Sequence, residues 1–459
     1  MIEPMSAINQ YTDLFRAHRE MIDANGAEPL NKLRDTACSA LEENQLPAKG
    51  AENYQDTDLD AMLAPDFGLN LDKIDIDVNP AATFRCDVPL VKSSLFLMEN
   101  DTLVSVEGAE ESLPEGVLAG SLRKFAREYP ELVEKYYGKC ASMENPIVAL
   151  DSMFAQDGLF LYVPRGVRLE RPVQLVNILS NGMPLMAVRR VLVVLEEGAE
   201  AKLLVCDHTQ HDGVRFMDLQ AVELFVGQGA RLDYYELEES SRDTSRLSAL
   251  YLRQSADSNV TVDGITLFNG ESRNEYFCDF DGEGASLRLY GMSIGDESRK
   301  LSTYTRINHA VPRCQSDELF KYTVDGEAHA DFTGRIYVAP GAVKTEAYQA
   351  NRSLVGSDKA KVFSKPQLEI YNDDVKCSHG SAIGQLDPMQ MFYMRTRGLP
   401  ELEARLLLRQ AFMADVIDAV KIDSLRDRLR LLVERRFAGA DTACSSCRHS
   451  DGLCAEHCE

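Results

Sequence analysis

Apolar residues sit at helical spacing near the start of the chain, at Leu14, Phe15, Met21 and Ile22, stop at Gly26, and resume at Leu30, Leu33, Ala37 and Leu41. This spacing predicts two antiparallel helices. Gln45 to Pro65 is polar and rich in turn formers, and reads as a loop or arm. Ile74 to Ser105 alternates as strands do, whereas Pro114 to Tyr137 returns to helical spacing through Leu118, Leu122, Phe125, Tyr129 and Leu132.

After Asn145 the pattern changes. Short apolar and β-branched runs (Leu159–Val163, Val173–Leu179, Val188–Leu195, Ala201–Val205, Ala221–Val226) alternate with tight polar turns. Many turns carry a small pair ahead of the next strand: Gly198-Ala199, Gly229-Ala230, Ser255-Ala256, Gly284-Ala285 and Gly341-Ala342, the first four at spacings of 31, 26 and 29 residues. Long helical stretches are missing, so a βαβ sheet is disfavoured and a sandwich, a propeller or a parallel β-helix remains. Coils of a β-helix pack one on the next, small residues fit their corners, and coil length varies there. An irregular but recurring period therefore favours the β-helix.

Around Pro388 helical spacing returns. Gln390–Arg397 leads into Gly398-Leu399-Pro400, and Glu401–Val420 reads as an amphipathic helix through Leu402, Leu406, Phe412, Met413 and Val416. Asp423–Phe437 reads as a further helix through Leu425, Leu429, Leu432 and Val433. The segment from Gly439 to Glu459 has little apolar content and cannot bury enough surface to fold unaided. The chain thus divides into a mostly helical region with some strand (1–144), a β core (145–387), C-terminal helices (388–437) and a Cys-rich tail (438–459).

Charge narrows the partners. The 459 residues hold 49 Lys and Arg against 73 Asp and Glu, a net charge of −24. Such a surface repels phosphate backbones and anionic lipid, so neither nucleic acid nor membrane is expected as the main partner. The longest aliphatic run, Val191–Leu195, is far shorter than the roughly 20 residues of a membrane helix, and Met1-Ile-Glu-Pro-Met-Ser6 lacks the basic and apolar halves of a leader. A cytoplasmic protein is expected. Eleven cysteines, an odd number in a long chain, then read as reduced thiols.

No phosphate cradle is present, and Gly227-Gln-Gly229-Ala-Arg-Leu232 lacks the third glycine of a dinucleotide turn, so nucleotide chemistry must come from a partner. Cys206, His208 and His211 offer soft ligands, but with Asp207, Gln210 and Asp212-Gly213 they read as an exposed turn. Asp279 and Asp281, two apart, suit either a strand entering a turn or the paired carboxylates of a β-helix polysaccharide lyase or hydrolase. The densest segment, Lys365–Gly380, holds Asp373, Asp374, Cys377, Ser378 and His379. Alternation points Asp373, Val375 and Cys377 one way and Asp374, Lys376 and Ser378 the other, and Gly380 permits a sharp turn beyond His379. A Cys-His nucleophile, ligation of a metal or cluster, and plain packing are all open; ligation demands less geometry than nucleophilic catalysis. In the tail, Cys444, Cys447, Cys454 and Cys458 could capture zinc or iron, pair transiently, or stay unstructured.

The long segment Pro366–Asp387 (Pro-Gln-Leu-Glu-Ile-Tyr-Asn-Asp-Asp-Val-Lys-Cys-Ser-His-Gly-Ser-Ala-Ile-Gly-Gln-Leu-Asp) and Met391-Phe-Tyr-Met-Arg-Thr-Arg-Gly398 carry a resemblance, together with Asp157–Val167, Arg306–Pro312, Gly334–Val338 and Lys344–Asn351. They resemble the SufB/SufD family of the SUF iron-sulfur cluster assembly system, on its SufD side, densely from about residue 145 to 420. The resemblance implies a right-handed parallel β-helix flanked by helical ends. It further implies a non-catalytic scaffold that pairs edge to edge with a SufB-type paralogue, or with itself when isolated. A SufC-type ABC ATPase would dock on the C-terminal helices, around Arg395, Arg397, Gly398, Leu399, Pro400 and Arg405. His379 falls on the family histidine at the subunit interface and Cys377 on the neighbouring cysteine, both candidates to hold a transient cluster or entering iron; no tightly bound cofactor is implied. Tyr54 stands where relatives often carry tryptophan, and the cysteine tail lies outside the family pattern.

Overall fold

The computed structural model describes residues 6–73, 93–104, 113–210 and 213–439. Two helices open it, α1 (Ala7–Asn25) and α2 (Glu28–Asn44), as the spacing requires; Ser6 caps the first by accepting from Asn9 N–H. The arm that follows contains one helical turn, α3 (Leu59–Leu63), which its polar composition hid. Pro114 to Tyr137 is not one helix. It begins with a strand, Leu118–Ser121, and continues as α4 (Leu122–Glu128) and α5 (Pro130–Tyr136), split where Pro130 has no N–H to continue the ladder. Residues 146–154 also depart from expectation. They form a buried helix, α6 (Pro146–Phe154), so the regular parallel coils begin only at Gly158.

From β4 (Gly158–Val163) to β19 (Val375–Gly384) the chain winds a β-solenoid of about eight turns. Successive strands, numbered in chain order, alternate between a nine-stranded sheet that takes the even-numbered ones and a ten-stranded sheet that takes the odd-numbered ones, and every pairing along this run is parallel. The corners explain the small pairs. Gly198, Gly229, Gly284 and Gly341 take left-handed backbone (φ 67°, 64°, 76° and 87°), and the alanine after each is fully buried in the lumen. At Ser255-Ala256 the left-handed residue is instead Asp257, and Ser258 fills the corner.

Inward-facing residues of both sheets form one core, from Phe96 and Leu159 to Val338 and Ala347. A buried polar belt crosses it. Arg189 Nη2 lies 3.0 Å from Asp207, and Arg246 Nη2 lies 3.3 Å from Asp207 and 3.5 Å from Glu236. Burial opposes ionisation here, yet Arg189 and Arg246 hold the Asp207 carboxyl below its usual range. Burial wins at Asp218, which is pushed up to about 6.

Each sheet is covered outside by helices. Against the even-numbered strands pack α1, α2, α3 and α6, through Phe15, Ile22, Leu41, Met62 and Phe154. Arg190 reaches out of that sheet to Asp151 at 2.7 Å and Glu223 at 2.6 Å, all three fully buried. Against the odd-numbered strands pack the two long C-terminal helices, α8 (Glu401–Ala419) and α9 (Asp423–Phe437), where the sequence places them. Lys321 Nζ donates to Phe412 O at 2.6 Å, Arg409 reaches Asp325 at 2.6 Å, and Arg436 donates to Leu267 O at 2.9 Å.

Asp263 is fully buried on that same outward face, in register with Tyr235 and Tyr290, and neither carboxylate oxygen has a hydrogen-bond partner. Burial pushes it up to about 8. Glu238 moves the same way, to about 7. A native carboxyl raised above its unfolded value stabilises fully below that unfolded value, and the contribution is lost as pH rises through the native one. Stability is therefore expected to fall between about pH 4 and pH 8, by on the order of a few kcal/mol, and the thermal midpoint to fall with it. Asp263→Asn is expected to flatten the part of that fall above pH 7, measured by calorimetry across the range.

Candidate functional site at the open end of the solenoid

The two ends of the solenoid differ. At the first end the outermost strands are short and antiparallel: three residues (Thr102–Val104) in one sheet and four (Leu118–Ser121) in the other. At the second end they are β18 (Lys361–Ile370) and β19, ten residues each, parallel to their one neighbour and, among the described residues, unpaired along the other edge. Natural sheets blunt exposed edges by keeping them short or covering them, because a long bare edge is a template for another chain. Only the first end follows that rule.

Cys377 and His379 both lie on β19, in register with Ala347 and Gln349 of β17 (Thr345–Val355). Two residues apart on one strand, they point to the same, inward face. Cys377 is half-buried against the last of the lumen core, and burial pushes its thiol above the usual range. His379 is exposed at the mouth. The expected turn at Gly380 is absent: the strand runs on to Gly384 because β17 offers a partner at every position. Asp373 and Asp374 precede the strand and share no face with Cys377. Ser381 Oγ donates to Ser364 Oγ at 2.8 Å, joining the two edge strands across the lumen.

No group of three or more His, Cys, Asp or Glu is arranged to hold a metal ion among the described residues. His379 and Cys377 can thus offer two donors from this chain, and a complete shell needs others. Deeper in the lumen, His309 accepts or donates at 2.8 Å to Ser316, and burial holds it down to about 3, a neutral imidazole. Cys278, also buried, is pushed well above the thiol range. Neither is accessible to a ligand arriving at the seam.

The residues expected at the ATPase surface lie at the junction of α7 (Pro388–Thr396) and α8. Asp387 caps α7 by accepting from Met389 N–H at 2.9 Å, and Gly398 turns the chain with φ 92°. Arg405 binds Glu401 at 2.9 Å, Arg395 lies 3.7 Å from the same carboxylate, and the Arg397 guanidinium stands 5.1 Å from the Tyr393 ring centroid. Leu399 and Pro400 form the bend between the helices. A cavity of about 470 Å³ lined by Phe392, Arg395, Arg405 and Arg409 separates α7 from the last coils. Helix α7 buries no residue, and Met389, Phe392, Tyr393 and Leu402 are exposed, Leu402 at 80 %. Spacing had placed Leu402 on a packed face; it is the second residue of α8, whose buried residues begin only at Ala404.

Other candidates resolve differently. Cys206 and His208 are not in an exposed turn but buried inside β7 (Glu200–Thr209), because the strand runs longer than its apolar stretch; His211 lies outside the described residues. Asp279 and Asp281 are each neutralised by arginine: Arg306 and Asn308 hold the first at 3.2 and 3.0 Å, and Arg253 grips the second bidentately at 2.7 and 3.0 Å. Asp281 also lies past the end of its strand. Cys444, Cys447, Cys454 and Cys458 lie outside the described residues.

The fold is thus a two-sheet solenoid whose second end presents long edge strands bearing a thiol and an imidazole. Comparison with known proteins agrees. Residues 178–412 match the model of the SUF system FeS cluster assembly SufBD core domain, and residues 5–175 match that of the SufBD protein N-terminal region. The chain belongs to the SufBD family, which acts in iron-sulfur cluster assembly. It is 28% identical to an iron-sulfur cluster assembly SufBD family protein of Synechocystis sp. over 92% of this chain and 94% of that one. It is 25% identical to SufD of Escherichia coli over 95% and 97% of the two chains, and 27% identical to SufD of Bacillus subtilis over 76% and 80%.

Because the thiolate is the nucleophile, Cys377 is expected to alkylate more slowly than an unperturbed cysteine at pH 7, the gap narrowing as pH rises. Peptide mapping after timed iodoacetamide treatment measures this; equal rates at pH 7 would contradict the packing described.

Proposed function

We propose that this chain is a non-catalytic scaffold subunit of a cytoplasmic iron-sulfur cluster assembly complex, its open end joined to a SufB-type paralogue and its C-terminal helices to a SufC-type ATPase. The observation that carries the reading is the pair of ten-residue unpaired edges at the open end, with Cys377 and His379 on the inward face. A second solenoid with matching edges would continue both ladders, satisfy the bare peptide groups, and enclose the two donors at the joint. Thiol, imidazole and donors from the paralogue would then hold iron and sulfide, which are cargo here rather than resident cofactors. Thiol ligation releases a proton, so burial of Cys377 opposes metal at rest, and the charge of iron entering the joint has to offset that cost.

The exposed apolar residues Met389, Phe392, Tyr393 and Leu402, ringed by Arg395, Arg397 and Arg405, suit the docking of a partner that carries the nucleotide machinery this chain lacks. Movement of that partner on ATP binding would pull α8, which is tied to Lys321 and Asp325 close behind the open end.

A β-helix polysaccharide enzyme is the weaker reading, since both of its carboxylates are occupied by arginine.

Three variants test the proposal. His379→Ala, at an exposed position, is expected to change stability by less than about 0.5 kcal/mol while lowering cluster yield on the assembled complex, followed by visible absorbance. Ile383→Lys at the mouth is expected to weaken pairing with the paralogue at least about tenfold, measured by sedimentation. Phe392→Ala is expected to cost about 2 kcal/mol of ATPase binding and leave pairing intact. Wild-type cluster yield from the His379 variant would remove the assigned role.

A further inference from the structure

Behind His379 runs a polar file that the pairing itself does not use. Register sets Glu318 of β15 (Gln315–Val324) beside Gln349, and Gln349 beside His379, all on the inward face. Glu318 is fully buried and accepts two hydrogen bonds, from Thr305 Oγ1 at 2.6 Å and from Gln349 Nε2 at 2.8 Å. An amide whose Nε2 is held this way turns its oxygen away from the carboxylate. Gln349 Oε1 is buried and has no hydrogen-bond partner, on a residue only 2% exposed. Leaving a buried acceptor unsatisfied opposes folding, and such an atom calls for a partner. Space has been left for the arrangement: a Cβ on Gly334 would sit 2.4 Å from Gln349 Nε2 and 2.9 Å from Thr305 Oγ1.

A neutral imidazole has one N–H and one lone pair, and which nitrogen meets a metal is set by the hydrogen bond the other makes. On an exposed edge strand the ring of His379 has no other described group to choose between its tautomers. We propose that Gln349 is a positioning residue for His379: its Oε1 accepts the imidazole N–H and leaves the second ring nitrogen aimed at a ferrous or similar divalent ion in the seam. Glu318 and Thr305 hold the amide for that task. The inference rests on the reading of His379 as a ligand given above.

The test uses the full chain with ring-15N histidine, the His379 signals assigned by their loss in His379→Ala. Wild type is expected to show a single neutral tautomer above the titration range. Gln349→Leu, similar in size but without the acceptor, is expected to show the averaged shifts of two exchanging tautomers. On the complex with the paralogue, Co(II) binding followed by its visible bands is expected to weaken by about 10–100-fold in the same variant. Averaged shifts already in wild type, or unchanged tautomer and affinity in Gln349→Leu, would overturn the proposal. If that variant does not fold, Glu318→Leu carries the test: similar size, no acceptor to fix Nε2, and loss of the single tautomer expected, with retention counting against the proposal. The underlying reading fails separately. His379→Ala with wild-type cluster yield and Co(II) affinity would remove the ligand role, even where Gln349→Leu still frees the tautomer.

Discussion

A parallel ladder cannot stop without leaving a row of peptide N–H and C=O groups bare, and the rest of this molecule is arranged around that constraint. Coils stack because each strand satisfies the next; the last strand has nothing to satisfy it. At the first end the problem is reduced by short antiparallel strands of three and four residues. At the second end two ten-residue strands are left bare among the described residues, and helices α8 and α9 pack on the outer side of the ten-stranded sheet instead of across the opening. Water can solvate such an edge, but a matching edge satisfies it with directional bonds at every second residue and buries the lumen mouth as well.

The helical layers give the open end its mechanical context. Helix α8 is not a loose appendage: Lys321 and Arg409 bind it to the strand and corner that end at Asp325, directly behind β17 and β19. Arg436 fastens α9 to Leu267 O and Asp296 further back. Force on the exposed α7–α8 junction would therefore reach the coils nearest the seam first. Within those coils a second polar group enters the core, as Glu318 and Gln349 take the inward position that Val262 and Leu289 hold on earlier strands. Polar residues at a lumen mouth weaken packing and leave hydrogen-bonding capacity unused, a cost that makes sense where a ligand has to be received.

Much of this was legible in the residues. Gly198-Ala199, Gly229-Ala230, Gly284-Ala285 and Gly341-Ala342 announce corners because a left-handed turn and a cramped lumen each admit few residue types. Helices α8 and α9 were legible from period alone. What failed did so for physical reasons. Residues 118–121 have helical spacing by coincidence, and only the presence of β4 makes them a strand. Cys206 and His208 look solvated because polar neighbours surround them in sequence, whereas alternation sends Asp207 into the lumen and the other two under the helices. Gly380 permits a turn but does not require one. Gln349 and Glu318 gave no signal, since an isolated polar residue in a strand is informative only once register shows which face it occupies.

The most direct measurement is amide hydrogen exchange over residues 361–384, in the isolated chain and after mixing with a SufB-type paralogue. Ladder continuation across the joint predicts strong slowing throughout Lys361–Ile370 and Val375–Gly384 on complex formation, with the short strands at the other end unchanged. Binding that slows exchange elsewhere and leaves these two strands as fast as before would contradict the account.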